Sequence, residues 1–405
     1  NKTLQINRNN ISISEQRKKE AQANLIPKVT ANTDYKYFME LPTQLMPMNA
    51  LNPQAPEGQF RDLQFGVPHN INANVQLAMP LYNPQVYGAI QSTQIAKELT
   101  ELQFQKSEEQ VLFDITTLYY NAQIIVHQLA FLDSNIANTE KLLKNMQLLK
   151  DQLLAKGSDV SKVKLQAEQL NTQRQNVNNK LIQVLNALKL NMGISLEQNI
   201  TVVSEIQQEV SLESNTKNVL ELKIIQKQNQ LLHSDLKTLI QSRFLPSLNL
   251  VASYGTTGFG YDKKPNNFLK FYPIGFAGLQ LTYPLFNGTV TQRKINQKKL
   301  EITNNELQSK LIAEKNDMEV ENAIRQKTIA QSTITNTESQ IALAKTIYEQ
   351  TVLQQKQGTA SLTDVLLADN ALREAQQNYL NAVIDFLKAD LELKKLTGSI
   401  TSIKN

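Results

Sequence analysis

The chain has 405 residues with 42 Lys and Arg against 37 Asp and Glu, a net charge of +5, and neither Cys nor Trp. So small a charge excess, with lysines scattered among acids, argues against a nucleic-acid patch and for solvated faces. Without Cys, and with His69, His127 and His233 far apart in sequence, no nucleophilic or metal-site motif is present, so the reading is non-enzymatic, with no cofactor and no metal.

Proline and glycine organise the rest. All twelve prolines fall within 27–84 and 246–284, and glycine-free runs of 68 and 69 residues lie between Gly88 and Gly157 and between Gly288 and Gly358. Proline costs a helix interior roughly 3 kcal/mol and glycine about 1 kcal/mol, so their joint absence predicts two very long helices. At about 1.5 Å per residue each would extend roughly 100 Å.

In chain order, a helix is predicted over 2–25, then strands over 28–41 and 70–81. Val29, Ala31, Thr33, Tyr35 and Tyr37 alternate with Lys28, Thr30, Asn32, Asp34 and Lys36, while Ile71, Ala73, Val75, Leu77 and Met79 alternate with Asn72, Asn74, Gln76 and Ala78. The proline-rich stretch 42–69 between them reads as a loop. A helical hairpin follows over 85–192. Its long leg carries a narrow seam at alternating four and three spacing: Ile115, Tyr119, Ala122, Val126, Leu129, Leu132, Ile136, Thr139, Leu143, Met146, Leu149 and Leu153. Residues 194–217 form an extra segment at mid-height, with Ile200–Val203 as a short strand.

The chain then repeats itself. Leu25-Ile26-Pro27 and Tyr35 match Leu245 and its neighbours Phe244 and Pro246, with Tyr254, at an offset of 219; Val75 to Asn83 matches Leu279 to Asn287 at an offset of 204. The first copy thus holds 15 extra residues between its matched pieces, which marks a length-tolerant loop. A weaker match joins Gly157-Ser158-Asp159-Val160 to Gly358-Thr359-Ala360-Ser361. We therefore divide the chain into repeat 1, 1–217, and repeat 2, 218–405. Repeat 2 has a helix over 218–243, strands over 246–256 and 273–285 flanking a loop over 255–274, and a hairpin over 289–397 whose seam runs Ala330, Ile334, Thr337, Ile341, Ala344 and Tyr348. The return legs are shorter than the long legs, and the helices over 2–25 and 218–243 recover the difference if stacked end to end with them.

Four strands of about ten residues, apolar on one face and mostly polar on the other, have the length of membrane-barrel strands. Tyr35, Tyr37, Tyr82, Tyr254, Tyr272 and Tyr283 lie at or near strand ends, as an interfacial aromatic belt requires. Small barrels need about eight strands, so several chains must share one. No segment approaches the roughly 20 apolar residues of a membrane-spanning helix.

The proline-flanked strand pairs, the twofold repeat and above all Gly358-Thr359-Ala360-Ser361-Leu362-Thr363-Asp364-Val365-Leu366-Leu367-Ala368 resemble the outer-membrane factors of the TolC type. Gly157 to Ala167 is similar to that family's first hairpin turn. The resemblance implies a mainly α fold with a membrane β-barrel portion: a homotrimer with a 12-stranded barrel, a mid-height belt and a long periplasmic α-barrel of antiparallel coiled-coil helices, in the outer membrane of a Gram-negative bacterium. It implies a passive exit duct of a tripartite efflux pump, with a periplasmic adaptor, an inner-membrane efflux transporter and outer-membrane lipid as partners. The adaptor contact would fall on Gly157, Ser158, Asp159 and Val160 with Gly358, Thr359, Ala360 and Ser361; a helix cap at each glycine is compatible with this. A pore constriction would fall on Asp364 and Leu367. Some relatives carry acids at both of those positions, so one carboxylate ring with a hydrophobic neighbour is implied here; alternatively Asp364 caps a helix. Where some relatives carry a tip-locking arginine, this chain has Ala360, so a latch must use other residues. Two other readings stay open: the exit duct of a type I protein secretion system, and a non-conducting coiled-coil scaffold. The opening residues read as helix, so the sequence reads as starting after processing, and lipidation of the native N-terminus stays open.

Overall fold

A computed structural model describes residues 1–51, 53–54, 56–203, 205, 219–265 and 267–400. The elements run α1 (Lys2–Ala23), β1 (Lys28–Tyr37), β2 (Thr43–Pro47), α2 (Met48–Leu51), β3 (Phe60–Gln64), β4 (His69–Tyr82), α3 (Pro84–Asp151), α4 (Gly157–Met192), α5 (Leu220–Phe244), β5 (Ser247–Tyr261), β6 (Phe268–Thr282), α6 (Val290–Lys356) and α7 (Leu362–Leu396). Two compact units result. One holds 1–12, 98–228 and 305–405, and the other 13–97 and 229–304, so each draws on both halves of the sequence.

The second unit holds the sheet, a four-stranded antiparallel layer in the order β1-β4-β5-β6. Its register aligns the four alternating patterns into one two-faced surface. Val29, Leu77, Ala252 and Ala277 form one cross-strand row, and Ala31, Val75, Tyr254 and Gly275 the next. On the opposite face lie rows such as Asp34, Asn72, Thr257 and Tyr272, with Asn72 Nδ2 donating to Asp34 Oδ2 at 3.2 Å. A slip of one residue would turn every apolar side chain to the polar face, so the pattern pins the register. The alternation lapses on β5 and β6, which add Val251, Phe259, Tyr261, Tyr272, Ile274 and Phe276 to the polar face. Among the described residues β1 pairs only with β4 and β6 only with β5, so each presents an unpaired edge.

Strands β5 and β6 run into the expected loop, which they shorten to the stretch between Tyr261 and Phe268. Gly255, Gly258, Gly260 and Pro273 suggested a loop, yet the facing strand covers two of the strand glycines with aromatic rings: a Cβ on Gly258 would lie 2.6 Å from the Phe271 ring, and one on Gly275 2.8 Å from that of Tyr254. Pro273 falls on β6, which pairs on one side only within the chain. The expected loop 42–69 instead holds a small antiparallel pair, β2 with β3. In the same unit α3 meets α5 through small side chains. Ser92 Oγ donates to Asp235 Oδ1 at 2.8 Å and lies 3.1 Å from Ser234 Oγ, and one turn away Gly88 faces Thr238.

The first unit is helical. Most of the predicted seam positions line its core: Ala122, Leu132, Ile136, Thr139 and Met146 on α3, and Ala330, Ile334, Thr337 and Tyr348 on α6, are buried, joined by Leu170 and Val177 of α4 and by Leu380, Val383 and Phe386 of α7, whereas Leu153, the last position of the first seam, lies past the end of α3 and is exposed. Helix α7 packs on both long helices, with Leu380, Val383 and Phe386 in one cluster with Ile124 of α3 and Ala330 and Ile334 of α6. The short helices meet the ends of the return legs, α1 at α4 and α5 at α7, and not the helix over 218–243 at the leg over 158–192 that the lengths suggested. Asn1 Nδ2, at the start of α1, donates to Asn191 O at the end of α4, 2.5 Å away, and Leu220 of α5 shares a cavity of about 340 Å³ with Leu396 of α7. Residues 200–203 are not a strand; Gln123 Nε2 on α3 donates instead to the carbonyls of Val203 and Glu205, at 2.9 Å each. The rest of the mid-height segment, 204 and 206–217, lies outside the described residues.

No described helix is long and apolar enough to cross a membrane.

Candidate functional site: the paired helical turns

The turns between α3 and α4 and between α6 and α7 come together at one end of the helical unit over a shared apolar core. That core takes Leu142 and Met146 from α3, Val163 from α4, Tyr348 from α6, and Leu362, Val365, Ala368 and Leu372 from α7. All eight residues expected at the adaptor contact therefore lie at this end. Gly157, Ser158, Gly358, Thr359 and Ser361 are exposed, and Asp159, Val160 and Ala360 half-buried.

The turns have one backbone plan, in a register four residues away from the one the glycines suggested. Helix α6 ends with Gly358 in the left-handed region (φ 78°), its N–H bonded to Gln355 O and that of Thr359 to Gln354 O. Helix α3 ends the same way at Leu153 (φ 62°), its N–H bonded to Lys150 O and that of Leu154 to Leu149 O. The counterpart of Gly358 is thus Leu153, while Gly157 is the first residue of α4 and does not adopt a left-handed cap. Ser158-Asp159-Val160 then falls on Thr363-Asp364-Val365, a tripeptide likeness that could have set the register from sequence. Leu153 is 93% exposed and Leu154 72%. A left-handed non-glycine residue costs roughly 1–2 kcal/mol, more than the roughly 0.4–1 kcal/mol of extra chain entropy that glycine brings to the unfolded state. Leu153→Gly should therefore raise stability by up to about 1 kcal/mol, read as a higher midpoint of thermal unfolding in detergent.

Asp364 sits in the first turn of α7 as half of a capping box. Its Oδ2 accepts from Ser361 N at 2.9 Å and from Ser361 Oγ at 2.7 Å, while Ser361 Oγ accepts from Asp364 N at 3.2 Å. The bonds from Ser361 hold the Asp364 carboxyl below its ordinary range. Capping leaves the side chain exposed, and Leu367, one turn on, is 62% exposed on the same face. The α4 turn has no side-chain cap at Lys156, and Asp159 pairs instead with Lys162 at 3.4 Å.

Beneath the turns lies a cluster that the sequence did not single out. Asp369 of α7 is buried. Its Oδ2 accepts from Gln166 Nε2 of α4 and pairs with an Arg373 guanidinium nitrogen at 2.9 Å. Burial pushes the Asp369 carboxyl up, against the pull of Arg373 and Gln166, and burial and the Asp369 charge raise the nearby Tyr348 phenol to about 12. Of the three histidines, His69 lies on β4 against the rings of Tyr35 and Tyr37, and no group of three or more His, Asp or Glu among the described residues could hold a metal ion.

Residues 237–399 match the family described as outer membrane efflux protein. That match runs from the end of α5 through β5, β6, α6 and α7. No curated protein matches it. Among solved structures, VceC from Vibrio cholerae has a TM-score of 0.75 at 14% identity over 97% of this chain and 92% of its own. The Campylobacter jejuni CmeC outer membrane channel gives 0.76 at 14% over 98% and 83%, and the open state of the Neisseria gonorrhoeae MtrE outer membrane channel 0.72 at 14% over 98% and 86%. At such identity the likeness is one of fold, and it runs over nearly the whole chain, including repeat 1, which the family match does not reach.

Proposed function

We propose that this protein is the outer-membrane exit duct of a tripartite efflux pump, a homotrimer that conducts passively what an inner-membrane transporter and a periplasmic adaptor deliver. The observation that carries this is the sheet: four strands with one continuous apolar face, an opposite face that is mostly polar over β1 and β4, and two unpaired edges. Such edges are untenable in hydrocarbon unless they pair. If β6 of one copy pairs with β1 of the next, three copies close twelve strands with the apolar face toward lipid and the amide-rich face toward water. The helices support association too, because α6 carries a second apolar stripe, including Leu300, Leu307, Leu311, Met318, Ile329, Leu343 and Ile347, that one chain leaves exposed. Copies of this chain would cover it in a periplasmic α-barrel.

In that assembly the paired turns form the periplasmic end. Leu153 and Leu154 join the eight expected residues at the adaptor contact, and Asp364 and Leu367 face the pore as a carboxylate ring beside an apolar one. Three like charges attract cations and oppose one another's ionisation. In each copy Ser361 acts in the opposite sense on the same carboxyl. Export of a protein by the same duct differs only in the transporter behind it.

The test is the mass of the detergent-solubilised protein by light scattering together with single-channel recording in a planar bilayer. A trimer with cation-preferring channels, less selective and larger in Asp364→Ala, is expected. A monomer soluble without detergent that never conducts would leave a helical scaffold and remove the duct.

A further inference from the structure

The two edge strands of the sheet differ in length: β6 holds fifteen residues and β1 ten. If they join between copies, the internal repeat supplies their register. Within the chain Val75 pairs with Tyr254 and Gln76 with Ser253. Their counterparts in the other repeat are Leu279 with Tyr35 and Gln280 with Asp34. This register sets apolar face beside apolar face and polar beside polar, an agreement that a slip of one residue would reverse. The joint below it is bare in the single chain. Tyr82, which pairs with Leu248, is 39% exposed, whereas its counterpart Phe286 is 84% exposed and Val29, the counterpart of Leu248, 63%. In the same register Tyr37, the last residue of β1, comes opposite Ala277, so Phe268–Phe276 of β6 lie beyond the reach of β1.

That outer stretch differs from the rest of β6. From Ala277 onward, Leu279 and Leu281 alternate with Gly278, Gln280 and Thr282, but before it Phe268, Tyr272, Ile274 and Phe276 stand on one face and Leu269 and Phe271 on the other, all of them exposed. An open edge that is apolar on both faces is a template for another strand. The segment after β1 can supply one. Phe38 N donates to Pro68 O at 2.8 Å and Phe65 N to Pro42 O at 3.0 Å, so the ribbon of β1 and β4 continues through its break into β2 and β3. Tyr37 faces His69 and Thr43 faces Gln64, a shift of one residue between the two ladders. Within the chain β2 pairs only with β3, and Leu45 on it is exposed. Carried on, the register from the repeat sets Phe38 against Phe276, Leu41 against Pro273, Leu45 against Leu269 and Met46 against Phe268.

We propose that β2 of each copy adds to the outer half of β6 in its neighbour, so that residues 38–47, which the sequence presents as part of a loop, clasp adjacent copies and extend the barrel wall past the end of β1. This rests on the trimeric reading above. The partner is a second copy of this chain, held by backbone bonds along β6 and seated by cross-strand apolar pairs such as Phe38 with Phe276 and Leu45 with Leu269. The clasp also gives a use to the 15 residues by which the first repeat exceeds the second.

The chain has no cysteine, so Gln44→Cys with Lys270→Cys introduces the only thiols, both at exposed positions that the register sets opposite each other. Within one chain β1, which β2 continues, lies three strand spacings of about 4.8 Å from β6, so a short bridge between these thiols forms only between copies. The detergent-solubilised protein is treated with a short bis-methanethiosulfonate reagent, whose span tolerates a slip of one residue. The variant is expected to triple its mass on a denaturing gel and to return to monomer on reduction. Asp34→Cys with Gln280→Cys, which reads β1 against β6, should do the same, and Gln44→Cys with Gln280→Cys, ten residues farther down β6, should stay monomeric. If the Asp34 and Gln280 pair links and the Gln44 and Lys270 pair does not, the clasp is overturned while the trimer stands. Gln44→Cys alone linking to itself would set the hairpins against one another across the mouth, which also overturns it. If neither pair links and light scattering gives a monomer, the trimeric reading fails, and the clasp with it.

Discussion

Asp390→Ala is expected to lower the unfolding free energy by about 3–5 kcal/mol, the scale for breaking a buried ion pair from one side. Asp390 of α7 is the common acceptor for Lys327 of α6, at 2.7 Å, and Lys394 of α7, at 3.0 Å. Both lysines are themselves largely buried, with side chains 17% and 14% exposed, and Lys327 also lies 5.9 Å over the Phe386 ring. Removing the carboxylate leaves two ammonium groups in a poorly solvated pocket with the charge that drew them in now absent. The loss should appear as a lower denaturant midpoint for the helical circular dichroism signal. Adding Lys327→Met and Lys394→Met to Asp390→Ala should restore most of it, because the cost lies in the stranded charges more than in the pair. If Asp390→Ala is as stable as the wild type, the lysines have found water and the cluster is not buried in the assembled protein.

The second large effect is Gly88→Ala. The new methyl would lie 2.1 Å from Thr238 Oγ1 and 2.3 Å from Thr238 Cγ2, and even the Thr238 Cβ is only 2.7 Å away, so rotating that side chain does not clear it. Helices α3 and α5 must move apart, which also strains the Ser92 bonds to Ser234 and Asp235 one turn on. Overpacking of this kind costs about 1–3 kcal/mol. In a Thr238→Gly background the sign should reverse. With the obstructing atoms gone, Gly88→Ala regains the roughly 1 kcal/mol by which alanine exceeds glycine within a helix. The same denaturation experiment on the four members of the cycle reads both numbers.

Gly88 shows why part of the structure was legible and part was not. From the sequence it bounded a glycine-free run, and the run is indeed helical, but nothing in a one-dimensional pattern says that a glycine five residues into a helix is there for Thr238, some 150 positions away. Leu153 shows the same limit from the other side. The search for equivalent turns followed glycine, the residue most at ease in the left-handed region, and so aligned Gly157 with Gly358. The backbone bonds place Leu153 there instead, and only the Ser158-Asp159-Val160 likeness to Thr363-Asp364-Val365 hinted at it. Asp369 and Gln166 were invisible for a plainer reason: an aspartate and a glutamine on amphipathic helices read as solvated, and burial is a property of neighbours.

By itself the sequence determined what depends on local chemistry. The absence of proline and glycine set the long helices, period-two alternation set the strands and their faces, and seam spacing set which side of α3 and α6 is buried. These follow from backbone sterics and side-chain polarity, which act over a few residues at a time. The tertiary structure decided what depends on partners remote in the chain. It extended β5 and β6 through glycines because Phe271 and Tyr254 cover them from the facing strand. It left residues 200–203 without a ladder, bonding the carbonyls of Val203 and Glu205 to Gln123 instead. It also drew Asp369, Gln166 and Arg373 into one buried cluster, because only packing four helices around the two turns takes those groups out of water.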